Sequence, residues 1–331
     1  MKAVNKKKYF GVCGIALLVV LSWVFTAVPV MAEYPDGQIK YILHVKPGGA
    51  TDVLARKTAA GLQKEIGQTI VVENRPGGKS ALQMAALVKA EPDGYTIGSV
   101  TASHISNFNK SLKRFSIDSV DWVVGMVVDP YLIAIKSDSP IQSLKELVAF
   151  VKKNPGELKV AGFADGSGGH VAWEIFADKA GIERKNIKWI PYGGVNEAVT
   201  AVLGGHSDVT VAYVGLTREY VKTGRLRILG IMADKAPELM PDIPTFKEAG
   251  FDVDTSWQQF RGIIAPKGMS ADKKIRLARL VKKVMAQPDF KEYMTNAQLN
   301  YGYMEPDEFT SFVQKQNVAT QTWLKKLGLV K

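Results

Sequence analysis

Twice in this chain a short β-rich run ends in a glycine-rich turn that opens directly into a helical run. Residues 39–45 read as a strand, Pro47-Gly48-Gly49-Ala50-Thr51-Asp52 as the turn and 53–66 as the helix. Residues 158–161, Asp165-Gly166-Ser167-Gly168-Gly169-His170 and 171–180 repeat the pattern. A strand that feeds a helix in this way belongs to a sheet with helices on its faces, and repeated alternation argues for parallel strands.

The runs around these units extend the alternation. Strands are expected over 69–73 and 95–100 with a helix over 80–90, then two adjacent strands over 123–128 and 131–135 around Asp129-Pro130. Helices over 144–152 and 197–203 and strands over 187–190, 209–213 and 226–232 follow. Pro237, Pro241 and Pro244 mark a connector, 260–265 reads as one more strand, and the tail from Ala271 reads as helical to the end. The expected fold is α/β, with two Rossmann-like lobes, each built on a central, mostly parallel sheet. One lobe takes 33–130 and 250–331 and the other 131–249, with crossings near 128–132 and 233–256. A ligand cleft lies between such lobes, at the carboxyl ends of the strands.

Both glycine turns have the chemistry of an anion site. Glycine allows a tight turn and close backbone approach, and the free N–H groups of the first helical turn carry the positive end of the helix dipole. The candidate ligand-binding residues of the first turn are Val45, Lys46, Gly48, Gly49, Ala50, Thr51 and Asp52; Thr51 or Asp52 is also placed to cap the helix. Those of the second are Asp165, Ser167, Gly168 and Gly169. Thr101 and Ser103 follow strand 95–100, and Tyr192 and Tyr213 end strands of the second lobe, so all four are candidates to line the cleft. Taken singly, each turn is equally an ordinary strand-to-helix connection. The pair, one per lobe, suggests a clamp on a small anion.

Sharper motifs are absent. The second turn is not a Gly-x-Ser-x-Gly elbow, because Asp165 stands at its start, and Val171 breaks a dinucleotide fingerprint. His44, His104, His170 and His206 show no metal spacing, and His170 with Glu174 reads as a helix-surface pair. No cofactor, metal or catalytic residue is assigned. The enzymatic alternative is an exported hydrolase or isomerase using Ser167 and His170, three apart at the start of a helix.

The N-terminus bears on location. Lys2, Lys6, Lys7 and Lys8 precede an uncharged stretch over 9–30, and Val30-Met31-Ala32 offers a cleavage site, so residues 1–32 read as a signal peptide cut after Ala32. The competing reading is an uncleaved anchor, since the apolar stretch is long enough to span a bilayer. Cys13, the single cysteine, leaves with the leader, which excludes disulfides, thiolate metal sites and a cysteine nucleophile from the mature chain. The mature chain keeps a net charge of +7, spread among acidic neighbours, which fits a solvated surface with a mild pull on anions and no nucleic-acid partner.

Seven stretches carry a resemblance that runs through nearly the whole mature chain: PGGATDVLARKTAAGLQKEIGQTIVVENRPGG (47–78), EPDGYTIGSV (91–100), SGGHVAWEIF (167–176), IPYGGVNEAVTAVLGGHSDV (190–209), KTGRLRILGIM (222–232), PDIPTFKEAGF (241–251) and APKGM (265–269). With them the chain resembles the periplasmic solute receptors of the tripartite tricarboxylate transporter system, the TctC or Bug family. The resemblance implies a type II periplasmic-binding-protein-like fold, a small carboxylate as ligand and membrane permease subunits as partners. It also implies a periplasmic, non-enzymatic, monomeric receptor. A signalling co-receptor shares the same binding chemistry. By position, 45–52 resembles the family's first carboxylate-binding loop and 165–170 its second. The chain departs from the pattern at His44-Val45, where Pro-Phe or Pro-Tyr is frequent, and at Lys46, usually a neutral residue. Asp165 puts a negative charge in the second loop, facing an amino group or solvent.

Overall fold

Ile39–Leu43 forms β1, and the chain turns through 44–49 into α1 (Ala50–Ile66). Leu54, Ala55, Thr58, Ala59 and Leu62 recur at helical spacing and make the buried stripe of α1, which stops where Gly67 takes φ +69° and returns its N–H to the carbonyl of Gln63. The computed structural model describes residues 34–331, apart from Ala164, Glu238, Leu239, Gln298, Leu327 and Lys331. The expected leader and cleavage site therefore lie outside the described residues. Among those described, no helix is long and apolar enough to cross a membrane.

After α1 come β2 (Ile70–Asn74), α2 (Ala81–Leu87), β3 (Thr96–Thr101), α3 (Ala102–Lys110) and β4 (Val120–Asp129). Pro130 separates β4 from β5 (Tyr131–Lys136), and α4 (Leu144–Lys153), β6 (Leu158–Phe163), α5 (Gly168–Ala180), β7 (Ile187–Tyr192), α6 (Val195–Leu203), β8 (Val209–Tyr213), α7 (Val214–Lys222) and β9 (Leu226–Ile231) follow. A long connector leads to β10 (Gln259–Pro266), α8 (Ala271–Ala286), α9 (Pro288–Asn296), β11 (Tyr301–Met304) and α10 (Pro306–Lys326).

The strands make two sheets, ordered β11-β4-β10-β3-β1-β2 and β7-β6-β8-β5-β9. The chain passes from the first to the second at Pro130 and returns between β9 and β10. The expected α/β class stands, and in each sheet most strands run in one direction, with β10 and β11 reversed in the first sheet and β5 in the second. β1 is parallel to β2 and β3, and β6 to β7 and β8. β10 is antiparallel to both of its neighbours, and so is β5. Both are strands on which the chain enters a sheet from the other one. Each lies between two strands that run the other way.

The tail also differs from the expected continuous helix. Pro288 opens a new helix at its first position, and Tyr301–Met304 forms the edge strand beside β4. α3 and α7 are helices where the sequence reading placed none. α1 and α8 pack on one another so closely that a Cβ on Gly61 would stand 2.3 Å from Cγ1 of Val284. α5 is buried on all sides, with Trp173 and Phe176 inside an aromatic group that includes Phe246 and Phe251. Such a helix is held rigidly, and its N-terminal turn is placed by the core.

Candidate functional site

Gly48 takes φ +86°, a backbone state that favours glycine, and lets the chain reverse before α1. Gly49 is the N-cap and no side chain caps it. The first intrahelical bond runs from Val53 N–H to the Gly49 carbonyl, so the N–H groups of Ala50, Thr51 and Asp52 precede it. Lys46 to Ala50 are exposed and Val45 and Thr51 half-buried. The turn is fixed from below. The buried carboxylate of Asp52 accepts from Gly48 N–H at 3.0 Å, Arg56 Nε at 3.0 Å and Asn74 Nδ2 at 2.8 Å, and Asn74 also donates to the Val45 carbonyl at 2.9 Å. Burial alone would raise this carboxyl, but the bonds from Arg56, Gly48 and Asn74 outweigh it and hold it below its ordinary value. Asp52, expected as a ligand contact, braces the turn, with three bonds accepted inside it. It does not cap α1 in the usual sense either, since it closes back on Gly48.

Thr101 is the N-cap of α3, and its N–H donates to Nδ1 of His104 at 3.2 Å. His104 Nε2 lies 3.1 Å from the Gln83 Oε1, and Gln83 donates to the Ser99 and Ile42 carbonyls, so His104 is the neutral Nε2–H tautomer. Burial holds its pKa down to about 4. His44 completes the cluster. Its Nδ1 is 2.9 Å from Ser99 Oγ, and its ring meets that of His104 edge-on with centroids 4.3 Å apart. Burial, then His104, then Arg261 keep His44 well below the ordinary histidine value. Ser103 is half-buried on the first turn of α3.

At the second turn Ser167 is the N-cap of α5. Its Oγ accepts from His170 N–H at 3.3 Å and donates to the Phe163 carbonyl in a short bond. His170 stacks on Trp189 at 4.3 Å, accepts from Gly166 N–H at its Nδ1 at 3.0 Å, and has Nε2 3.3 Å from Glu174. The hydroxyl proton thus goes to a backbone carbonyl and the imidazole faces elsewhere, so the serine–histidine contact that hydrolysis needs is missing. Gly168 and Gly169 are buried because aromatic rings close on them: a Cβ would stand 2.0 Å from Tyr131 Oη at Gly168 and 2.6 Å from the Phe163 ring at Gly169. The Gly168 carbonyl accepts from Trp257 Nε1 at 2.9 Å. The Asp165 carbonyl accepts from Lys110 Nζ at 2.7 Å, while its carboxylate is 52% exposed, 3.8 Å from His170. A contact from α3 of the first sheet thus reaches the second turn.

Tyr213, at the end of β8, is buried directly opposite Tyr131 in the β5–β8 register. The Arg261 guanidinium lies 5.4 Å from its ring centre. Arg261 in turn pairs with Asp129 at 2.6 Å and stands opposite Thr101 across β3–β10. Burial raises the Asp129 carboxyl, and Arg261 and the Asn300 N–H oppose it. Tyr192 is the outlier. It stands opposite Phe163 across β6–β7, and its hydroxyl is 3.2 Å from Ser207 Oγ, on the loop before β8. The first and second turns are thus joined through His44, Thr101, Arg261, Tyr213 and Tyr131. Of these, sequence reasoning singled out only Thr101 and Tyr213 as site residues. A cavity of about 940 Å³ lies elsewhere, beside Val128, Pro130, Lys235 and Tyr301, and none of the turn residues lines it. Among the described residues no group of three metal-binding side chains occurs.

The geometry can be set beside known proteins. A family model described as tripartite tricarboxylate transporter family receptor, TctC, matches residues 54–329. The protein BugT of Bordetella pertussis is 34% identical over 247 residues, 73% of this chain and 74% of its own length. Among solved structures, that of Rpa4515 from Rhodopseudomonas palustris with adipate shares the fold, with a TM-score of 0.77 at 23% identity over 89% of this chain and 99% of that one. MatC from the same organism with bound malate aligns with a TM-score of 0.73 at 22% identity over 88% of this chain and 100% of that one. Members of the matched family are receptors, not enzymes. On the family match and the BugT identity together, the chain belongs to the TctC family of tripartite tricarboxylate transporter receptors.

Proposed function

We propose that this receptor captures a small carboxylate between its two sheets, at the α1 and α5 turns, and delivers it to the permease subunits of a tripartite tricarboxylate-type transporter. The observation that carries the reading is that two glycine-opened helix N-termini, one on each sheet, are linked by a continuous set of contacts across the crossing strands. Helix N-termini bind oxyanions through free N–H groups and the dipole, with no full ion pair, which keeps the ligand releasable. In this reading Lys46, Gly48, Gly49, Ala50 and Thr51 form the first wall, and Ser167, Gly168 and Gly169 the second; the two R. palustris proteins, solved with malate and adipate, hold small carboxylates.

In this reading the receptor works outside the cytoplasm as a monomer, released by cleavage after Ala32, with one lobe from 33–130 and 250–331 and the other from 131–249. Calorimetric titration of the purified mature protein with di- and tricarboxylates, amino acids and aromatic acids tests the binding. Saturable heat with at least one small acid is expected. Silence across the panel would refute it. The mass of the exported protein tests the leader: a chain that still begins at Met1 would contradict cleavage.

A further inference from the structure

The groove of about 940 Å³ beside Pro130 lies where the two sheets are joined, and both passages of the chain between them line it. Val128 and Pro130 belong to the first passage, and Lys235, Pro237 and Pro241 to the return connector between β9 and β10. Buried side chains make its floor: Met285 of α8, Met294 of α9 and Leu299 just beyond. Tyr301, the first residue of the edge strand β11, stands at the mouth with 59% of its surface exposed.

That volume is in the range of small-molecule sites, and such sites are built as this one is, from apolar walls with a few polar groups. Methionine is unbranched and polarisable, so a floor that holds two of them adapts to an alkyl chain. Lys235 on the connector and Lys291 on α9 are the charged residues of the lining, and among the described residues no Asp or Glu lines it. Both lysines are exposed, and neither has a carboxylate partner among the described residues. An apolar trough edged by unpaired cations is complementary to an acidic head on a hydrocarbon body. We propose that this groove is a second binding site, separate from the α1 and α5 turns, for an anionic amphiphile of the medium-chain alkyl acid type. The inference goes beyond the carboxylate clamp and does not depend on it, since none of the turn residues lines the groove.

Both parts of the occupant are selected. Burial of hydrocarbon supplies the affinity, and each methylene taken from water tightens binding up to about fourfold. A short diacid has too little to bury. The lysines choose the sign of the head: an alkylammonium would meet two cations. Because both are exposed, their pull is modest and is screened by salt.

The test titrates decanoate, decanol and decyltrimethylammonium, each below its micelle-forming concentration, into the mature wild type and into the double variant Lys235→Gln, Lys291→Gln. Both substitutions are on exposed side chains, so the thermal midpoint without ligand should hold. The wild type should bind decanoate at least about fivefold more tightly than the ammonium. The double variant should lose about three- to tenfold for decanoate and nothing for decanol. An alkyl acid carrying a diazirine should, on illumination, label the peptides covering 235–241 and 285–301. Label confined to the α1 and α5 turns, unchanged decanoate affinity in the variant, or no decanoate binding at all overturns the site and leaves the receptor reading intact. So does a dimer in sedimentation velocity that shields these peptides from label, which would make a second copy of the chain the occupant. Decanoate binding in the groove together with silence toward every short acid would sustain the site and refute the clamp.

Discussion

The indole Nε1 of Trp257 donates to the carbonyl oxygen of Gly168 at 2.9 Å, so the segment on which the chain returns to the first sheet holds the first residue of α5. Both residues are buried, and Trp257 is fully so. The bond aims the start of the helix from the side of the other sheet. Trp257→Phe removes that donor and part of a core side chain, and should lower the unfolding free energy by about 2–4 kcal/mol. Ligand affinity should fall with it, because the α5 turn loses its fixed orientation. Urea unfolding and calorimetry on the same preparation check both, and a variant as stable and as tight-binding as wild type would show that the bond positions nothing.

Asp52 makes a contrasting case, a charged residue in the first turn whose work is internal. Asp52→Asn keeps the shape but removes the charge that Arg56, Asn74 and Gly48 N–H share. A loss of about 1–2 kcal/mol in stability is expected. The affinity loss should be several-fold and similar for every ligand that binds, since the brace acts on the turn and touches no particular acid. A selective loss for one ligand would instead make Asp52 a direct contact.

The two glycine turns were legible because each punctuates a local pattern, a strand that stops and a helix that starts within ten residues. α1 was legible for the same reason, its buried stripe being periodic. α3 and α7 were not, since ASHISNFNK and VGLTREYVK are short and mix polar with apolar residues, and α3 packs chiefly on α10 at the other end of the chain. The floor between the turns was invisible for a topological reason. Arg261 and Asp129 are 132 residues apart; Arg261 lies inside a run that reads simply as a strand, and Asp129 reads as part of the join between two strands. Only the insertion of β10 beside β4 brings them together, and no local signal announces which strand returns where.

Ser167 separates structural from catalytic roles. Its Oγ caps α5 and bonds back to the Phe163 carbonyl, so Ser167→Ala should cost about 1 kcal/mol of stability. It should also weaken carboxylate binding, because the first turn of α5 loses its anchor. Ester or amide turnover should be at background in wild type and variant alike. Turnover in the wild type that the substitution abolishes would return the serine to a catalytic role.

Acid should loosen the fold in two separable steps. His104 and His44 are held neutral, His104 at about 4 against an ordinary 6.5. The unfolded chain takes up these protons first, so the stabilisation is complete above about pH 6.5 and is lost as pH falls toward 4. Asp52 follows in a lower window: its carboxyl lies below the ordinary 3.8, so its contribution is intact above that value and disappears beneath it. The urea midpoint should therefore decline between pH 6.5 and 4 and decline further below 3.8. His104→Gln should flatten the upper step, because one proton-linked group is gone, and leave the lower step in place. Asp52→Asn should do the reverse. A midpoint independent of pH from 6.5 to 4 would mean that the histidine pair is charged in the fold, contrary to its buried, hydrogen-bonded placement.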